Sequence, residues 1–197
     1  MKKGIAFFDF DGTITTRDTL LEFIKYCKGN NAFYAGFLIN SPFLLAYKLK
    51  IISNQAAKEK VLQHFFKNTP VDSFRVLCEK FAAEIIPGLI RPGATAEIKR
   101  LQEEGQTVVI VSASPENWIS PWAQKIQVEL IATQLEIKSG SITGKIAGKN
   151  CHGTEKVSRI KSRYSLGDYA EIAAYGDTKG DLPMLALAKH PVYKPFR

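Results

Sequence analysis

The chain has 197 residues, 45% hydrophobic and 23% charged, an ordinary globular composition that suits one domain with at most a modest insertion and excludes a disordered chain. Cys27, Cys78 and Cys151 lie far apart with no CxxC pair, which argues against a disulfide framework or a zinc knuckle and for reduced thiols in a cytoplasmic protein. Basic residues outnumber acidic ones by 27 to 19, a net charge of +8 that favours polyanionic partners: nucleic acid, anionic lipid or phosphorylated small molecules.

Met1-Lys2-Lys3-Gly4 leads straight into a strand-like run without an apolar leader or a cleavage site, so no signal peptide is expected. Residues 4–9 are apolar on both faces, as a central parallel strand requires. Asp9-Phe10-Asp11-Gly12-Thr13 then ends the run. Carboxylates two residues apart at a strand end can point the same way. They repel, and so need a shared proton or a cation, for which a hard divalent ion such as Mg²⁺ is suited. The second carboxylate can move a proton while the first attacks. A pair of capping aspartates in a turn is an equally simple reading of this motif alone.

From about residue 15 to 86 the pattern is helical, with no buried strand. Thr19 is placed to cap a helix over 20–28, Asn54 one over 55–66, and Asp72 one over 73–86. Pro87-Gly88 and Pro92-Gly93 return the chain to strand–helix alternation. Residues 16–86 are therefore expected to form a helical cap, inserted into a core of residues 1–15 and 87–197. Within the insertion, 23–58 holds no acidic residue, and 32–47 is uncharged and mostly apolar. Lys25, Lys28, Lys48, Lys50 and Lys58 flank that run. It is shorter than the roughly 20 residues of a membrane span, and Asn40-Ser41-Pro42 interrupts it. Two short helices joined at Pro42 could lie in a membrane interface with lysines towards anionic headgroups. A hydrophobic hairpin packing the cap onto itself fits as well, and both readings stay open.

A helix over 94–104, stopped by Gly105, leads into a buried strand at 107–112. The Ser112 hydroxyl and the backbone amides from Ala113 onward, at a strand-to-helix junction, can make an anion site or a plain helix cap. A third strand is expected at 130–133, a hairpin from 134–138 and 141–147 about Gly140, and a helix over 155–163 whose first turn carries Lys156. A fourth strand at 171–176 ends at Asp177, and Asp181 follows at the start of a helix over 182–188. This alternation predicts an α/β protein with a Rossmann-like, doubly wound parallel sheet. Ligands bind such sheets at the carboxyl ends of the strands, where Asp9, Asp11, Ser112 and Asp177 fall.

Together Phe7-Phe8-Asp9-Phe10-Asp11-Gly12-Thr13, Val111-Ser112, Lys156 and Gly176-Asp177 through Asp181 resemble the haloacid dehalogenase-like superfamily, in its motif order and over nearly the whole chain. The helical insertion looks like the C1 cap of its subclass IB, which includes the phosphoserine phosphatases. The resemblance implies a Mg²⁺-dependent phosphatase that acts through an aspartyl-phosphate. Asp9 would be nucleophile and metal ligand, and Asp11 the general acid/base and, through its backbone carbonyl, a metal ligand. Ser112, Ala113 and Lys156 would hold the phosphoryl group. Asp177 would be the third protein ligand, supported by Asp181. Family members that are dehalogenases lack an acidic residue at the position of Asp11, and the cation-pumping ATPases have threonine there, so Asp11 points to phosphatase chemistry.

A phosphoserine substrate would call for a carboxylate after the first motif, for which Asp18 and Glu22 are candidates, and a cap arginine, for which Arg17 and Arg75 match no motif. The stretches 120–122, 130–134, 151–157 and 176–181 are similar to the phosphatidylglycerophosphatase C family, whose cap is also apolar. The resemblance thus implies a lipid phosphate as leading substrate and peripheral contact with the inner face of the membrane, ahead of a soluble phosphorylated metabolite. A nucleic-acid end phosphatase would explain the charge but finds no aromatic-interleaved basic groove. A non-catalytic phosphate-binding protein would be expected to have lost one of Asp9, Asp11, Lys156 or Asp177.

Overall fold

The computed structural model describes residues 3–197. Met1 and Lys2, read above as leading without a signal peptide into the first strand, lie outside the described residues. Strand β1 (Ile5–Phe8) is buried along its whole length. Ile5 and Phe7 point to one face of the sheet and Ala6 and Phe8 to the other, in two separate hydrophobic clusters. A turn through Phe10–Ile14 leads to a helical stretch: α1 (Thr19–Lys48), α2 (Asn54–Phe66), the two-residue β2 (Thr69–Pro70), α3 (Val71–Glu84) and the single turn α4 (Ile86–Leu89). Then follow α5 (Pro92–Glu103), β3 (Thr107–Pro115), α6 (Glu116–Lys125), β4 (Glu129–Thr133), the hairpin β5 (Leu135–Lys138) and β6 (Ser141–Ile146), α7 (Thr154–Arg163), β7 (Ile172–Gly176), α8 (Leu182–Leu185) and β8 (His190–Tyr193).

The main sheet has the order β4-β3-β1-β7-β8 with every pairing parallel. It is the doubly wound α/β arrangement expected from the alternation. β1 lies in its middle, which is why its four residues are apolar on both faces. Strand β8 was not anticipated. It is short, carries Pro191 and lies at the sheet edge, where a missing N–H is tolerated. The expected hairpin is present, and β2 extends it antiparallel to a small sheet of order β2-β6-β5.

Within residues 16–86 the helices form where expected, with different ends. Asp18, not Thr19, caps α1, accepting from Leu21 N. Ser53, not Asn54, caps α2, accepting from Ala56 N. Pro70 precedes α3, and Asp72 lies inside its first turn. The break expected at Pro42 is absent: α1 runs through it, and its one non-helical residue is Gly29 at φ 78°, ψ 164°. Such a backbone suits glycine alone. Pro42 withholds an N–H from the Leu38 carbonyl four residues back. The Ser41 hydroxyl supplies it at 2.7 Å, so the helix continues.

The helical stretch shares one hydrophobic cluster with one face of the sheet. Phe23 of α1 stacks on Trp118 of α6 at 4.6 Å between centroids and meets Phe74 and Phe81 edge-on. This packing holds α1 and α2 above the carboxyl ends of β1 and β3.

Candidate active site

Asp9 is the first residue beyond β1, and its N–H donates to Tyr175 O of β7 at 2.9 Å. Its side chain meets that of Lys156, which projects from the first turn of α7 and is 1% exposed. Lys156 Nζ donates to Asp9 Oδ1 at 2.6 Å and to Asp181 Oδ1 at 2.7 Å. Burial alone would pull the Lys156 ammonium down, but the two carboxylates reverse this and hold it above its ordinary range. Burial pushes the Asp9 carboxyl up from 3.8 to about 7; Lys156 opposes the rise, and the charges of Asp181 and Asp11 add to it. Asp181 is held below its ordinary range, because Lys156 and the Thr178 hydrogen bonds outweigh its burial.

Asp11 is positioned by the start of α1. Its Oδ1 accepts from Thr19 N at 2.7 Å and Thr19 Oγ1 at 2.6 Å, and its Oδ2 lies 3.4 Å from Ser112 Oγ. The Thr19 N–H is one of the four that a helix leaves free at its first turn, and the positive end of the helix favours a carboxylate there. Ser112 is fully buried inside β3, which runs on to Pro115 past the strand end expected at residue 112, and its hydroxyl also accepts from Ser114 N at 3.0 Å. Between Asp11 and Thr13 the chain turns through Gly12 at φ 84°. A Cβ there would lie 2.6 Å from Asp177 Oδ2, so only glycine lets Asp177 approach.

Asp177 follows β7. Its Oδ1 accepts from Thr13 Oγ1 at 3.2 Å and its Oδ2 from Arg197 at 2.8 Å. Carboxylate oxygens of Asp9, Asp177 and Asp181 all lie within 4.8 Å of one another. An all-oxygen set of this kind, with a glycine cradle beside it, fits a hard divalent cation such as Mg²⁺. Two details bear on the expected ligand set. The Asp11 carboxylate turns away to Thr19 and Ser112, which leaves its backbone carbonyl as the group for a metal. Asp181 lies within the cluster, but Lys156 engages its Oδ1, and Thr178 N and Oγ1 engage its Oδ2 at 2.9 and 2.7 Å.

A cavity of about 220 Å³ opens over Asp9, Asp11 and Lys156, bounded by Ala113 and Ser114 on the β3 side. Asp18 reaches its wall while capping α1. Glu22 does not; it pairs with Lys25 at 2.9 Å and Arg17 at 3.7 Å. Arg75 is also elsewhere, in an exposed pair with Asp72. Six lining residues carry no site signal in the sequence: Leu20 of α1, Asn54 and Lys58 of α2, Ser114, His152 and Thr178. Lys58 Nζ donates to Ala113 O at 2.9 Å and Asn150 Oδ1 at 3.3 Å. Burial lowers its affinity for a proton, and it lowers that of His152, with the charges of Lys156 and Lys58 adding in the same direction. Lys58 does lie on the inward stripe of α2, four residues before buried Leu62, and that periodicity was the available signal. A larger cavity of about 480 Å³ lies by Gln106 and Glu171, where β3 and β7 begin. It is at the wrong end of the sheet for a ligand site of this fold.

The family model for haloacid dehalogenase-like hydrolase matches residues 6–186. Protein CicA of Caulobacter vibrioides is 36% identical over 194 residues, covering 96% of this chain and 85% of that protein. Phosphoserine phosphatase SerB1 of Mycobacterium tuberculosis is 29% identical over 192 residues, covering 92% of this chain and 61% of that protein. Among solved structures, a Bordetella pertussis protein of unknown function superposes with a TM-score of 0.83 at 23% identity, covering 97% of this chain and 89% of that one.

Proposed function

Because the chain belongs to the haloacid dehalogenase-like hydrolase family, we propose that it is a Mg²⁺-dependent phosphatase that transfers the phosphoryl group of a phosphomonoester to Asp9 and then hydrolyses the aspartyl-phosphate. One observation carries the reading: a buried carboxylate, Asp9, is clamped by a buried ammonium, Lys156, inside a three-carboxylate cluster that faces a cavity. Burial and like-charge neighbours arranged together to shift a carboxylate, in a cleft at the ligand-binding end of the sheet, are what an active site builds.

In the first step an Asp9 oxygen attacks phosphorus and the ester P–O bond breaks. Asp11 gives its proton to the departing oxygen. In the second step water attacks phosphorus, Asp11 takes a proton from it, and the P–O bond to Asp9 breaks, returning Asp9 and releasing phosphate. Asp11 is held for both steps by Thr19 at the start of α1. Lys156 orients Asp9 and offsets charge on the phosphoryl oxygens, with Ser112 and the Ala113 amide as further phosphoryl contacts. Asp9, Asp177 and the Asp11 carbonyl would hold Mg²⁺, which supplies positive charge to the phosphoryl oxygens. Asp181 keeps Lys156 in place. Residues 16–86 act as the C1 cap of a subclass IB enzyme over a core of 1–15 and 87–197, and Lys58 brings a cap cation to the cavity.

The leading substrate is a lipid phosphate such as phosphatidylglycerophosphate, on the apolar character of the cap. A second reading, phosphoserine or another soluble metabolite, is favoured by Asp18 at the cavity wall and by the similarity to SerB1. Phosphate release with Mg²⁺ from a panel of lipid phosphates, phosphoserine, sugar phosphates and nucleotides, with Asp9→Asn as the blank, tests this. Chelation is expected to stop turnover and Mg²⁺ to restore it. Turnover without a divalent ion, or in Asp9→Asn, overturns the mechanism.

A further inference from the structure

Beyond Gly29, α1 is apolar on both its inward and its outward face. Its inward ridge is Phe33, Gly36 and Asn40, all buried. Gly36 lies so close to α2 that a Cβ there would fall 2.2 Å from Phe65 Cζ. The buried Asn40 amide is satisfied by the Gly36 carbonyl at 2.8 Å. The outward face is apolar: Tyr34 is 66% exposed, Leu38 75%, Ile39 63% and Leu45 57%. It continues into Leu49 and Ile51, 62% and 72% exposed, in the turn before α2. A surface helix ordinarily points such residues inward. A continuous exposed apolar stripe marks an interaction surface.

Charge decides what covers it. No acidic residue occurs from 23 to 58. Lys25 is spent on Glu22, and Lys28 rests over the Phe66 ring. Lys48 and Lys50 are exposed beside the stripe and, among the described residues, take part in no ion pair; Lys60 lies over the ring of Phe43. A second copy would set these ammoniums against their own counterparts. A lipid surface would take the apolar row at its acyl boundary and the lysines at its phosphates. Among the described residues no helix is long and apolar enough to cross a membrane.

We propose that the outer face of α1 beyond Gly29 docks in the interface of an anionic bilayer. That face ends at the catalytic cavity: Ile51 is followed by α2, whose Asn54 lines the cavity and donates to the Tyr47 hydroxyl at 3.1 Å. Docking would hold the cavity mouth beside headgroups, so a phosphate monoester carried by a lipid would reach Asp9; this last step rests on the phosphatase reading.

Flotation of the full chain with vesicles of phosphatidylglycerol and phosphatidylcholine, against phosphatidylcholine alone, tests the docking. Binding is expected to the anionic vesicles at low salt and to weaken at 1 M salt, where the screening length is about 3 Å. Leu38→Glu/Ile39→Glu and Lys48→Glu/Lys50→Glu should each weaken it by more than about tenfold. Both should keep wild-type Mg²⁺-dependent turnover of para-nitrophenyl phosphate, which reports the fold and the site. Failure to float at low salt, or unchanged flotation of both variants, overturns the proposal. So does a concentration-dependent dimer without vesicles that Leu38→Glu/Ile39→Glu dissociates, since the face would then belong to a second copy. Flotation with no turnover of any phosphate ester would leave the docking intact and remove the phosphatase reading.

Discussion

Lys156 is 1% exposed and Leu38 is 75% exposed, the reverse of what an ammonium and an isobutyl group each prefer. The two regions differ in how the reversal is sustained. Around Lys156 it is compensated within the chain, by Asp9 and Asp181 at 2.6 and 2.7 Å. On the outer face of α1 Leu38 stays exposed, and among the described residues the flanking Lys48 and Lys50 take part in no ion pair. A compensated reversal is a site that is complete when the chain folds. An uncompensated one is what the proposed docking to a lipid surface would complete. Local rules that a sequence breaks are expected to mark function, and here they mark two kinds.

The largest effect is expected inside the compensated region. Asp9→Asn keeps size and hydrogen bonding but removes the nucleophile, and turnover should fall by at least about 10⁴-fold, measured as phosphate release. The fold should survive, because a neutral side chain there avoids the desolvation that pushes Asp9 up to about 7. Activity within tenfold of wild type would mean that the cluster is structural. Next comes Lys156→Ala, which leaves Asp9 and Asp181 buried and facing each other. Breaking a buried pair in this way costs about 3–5 kcal/mol, to be read from urea unfolding. A loss below about 1 kcal/mol would show that the reversal is not sustained by charge pairing.

The same region should respond to pH in a direction that follows from Asp9. With metal chelated, its folded carboxyl titrates at about 7 and its unfolded one at 3.8. Between these values the folded chain holds a proton that the unfolded chain releases, so stability falls as pH rises from about 4 to about 7. Asp181, lowered in the folded chain, acts in the opposite sense, with its loss confined to pH below its ordinary 3.8. Thermal unfolding of the chelated protein should show the decline, and Asp9→Asn should flatten it. A wild-type curve that is level across this range would contradict a burial that outweighs Lys156 in raising the Asp9 carboxyl.

How much of this could be read from the chain alone also divides along the same line. Asp9 and Asp177 were legible because buried parallel strands are unbroken apolar runs, and the first polar residue after each marks the carboxyl end of the sheet; Asp11 and Ser112 were legible through their motifs, since β3 does not stop at Ser112 but runs on to Pro115. Lys156 was legible through its motif rather than its position, since one lysine among many in a basic chain carries no local signal. Lys58, Asn54 and His152 were not, because they reach the cavity from segments whose only local pattern is helical or irregular. The expected end of the first helix at residue 28 falls where Gly29 bends α1, but the expected break at Pro42 does not occur, because the Ser41 hydroxyl supplies the hydrogen bond that the proline withholds. The apolar run itself was visible, but not which of its faces packs on α2, because both faces are apolar.

The smallest expected effect is the one that tests the outer face. Leu38→Glu adds a charge where the packed-hairpin reading would place core. If α1 beyond Gly29 served to pack the cap, a carboxylate at this position would be buried without a partner and would cost several kcal/mol. With Leu38 on the open face, the carboxylate stays in water and the change in unfolding free energy should be within about 0.5 kcal/mol. Phe33→Ala, five residues back on the inward ridge, should instead cost about 3 kcal/mol or more, because that ring is buried against Phe37. Equal losses in the two variants would make the helix cap core on all sides. A near-zero loss at Leu38 beside a large one at Phe33 would leave one face of α1 holding the fold together and the other contributing nothing to it, as a face free to dock outside the chain requires.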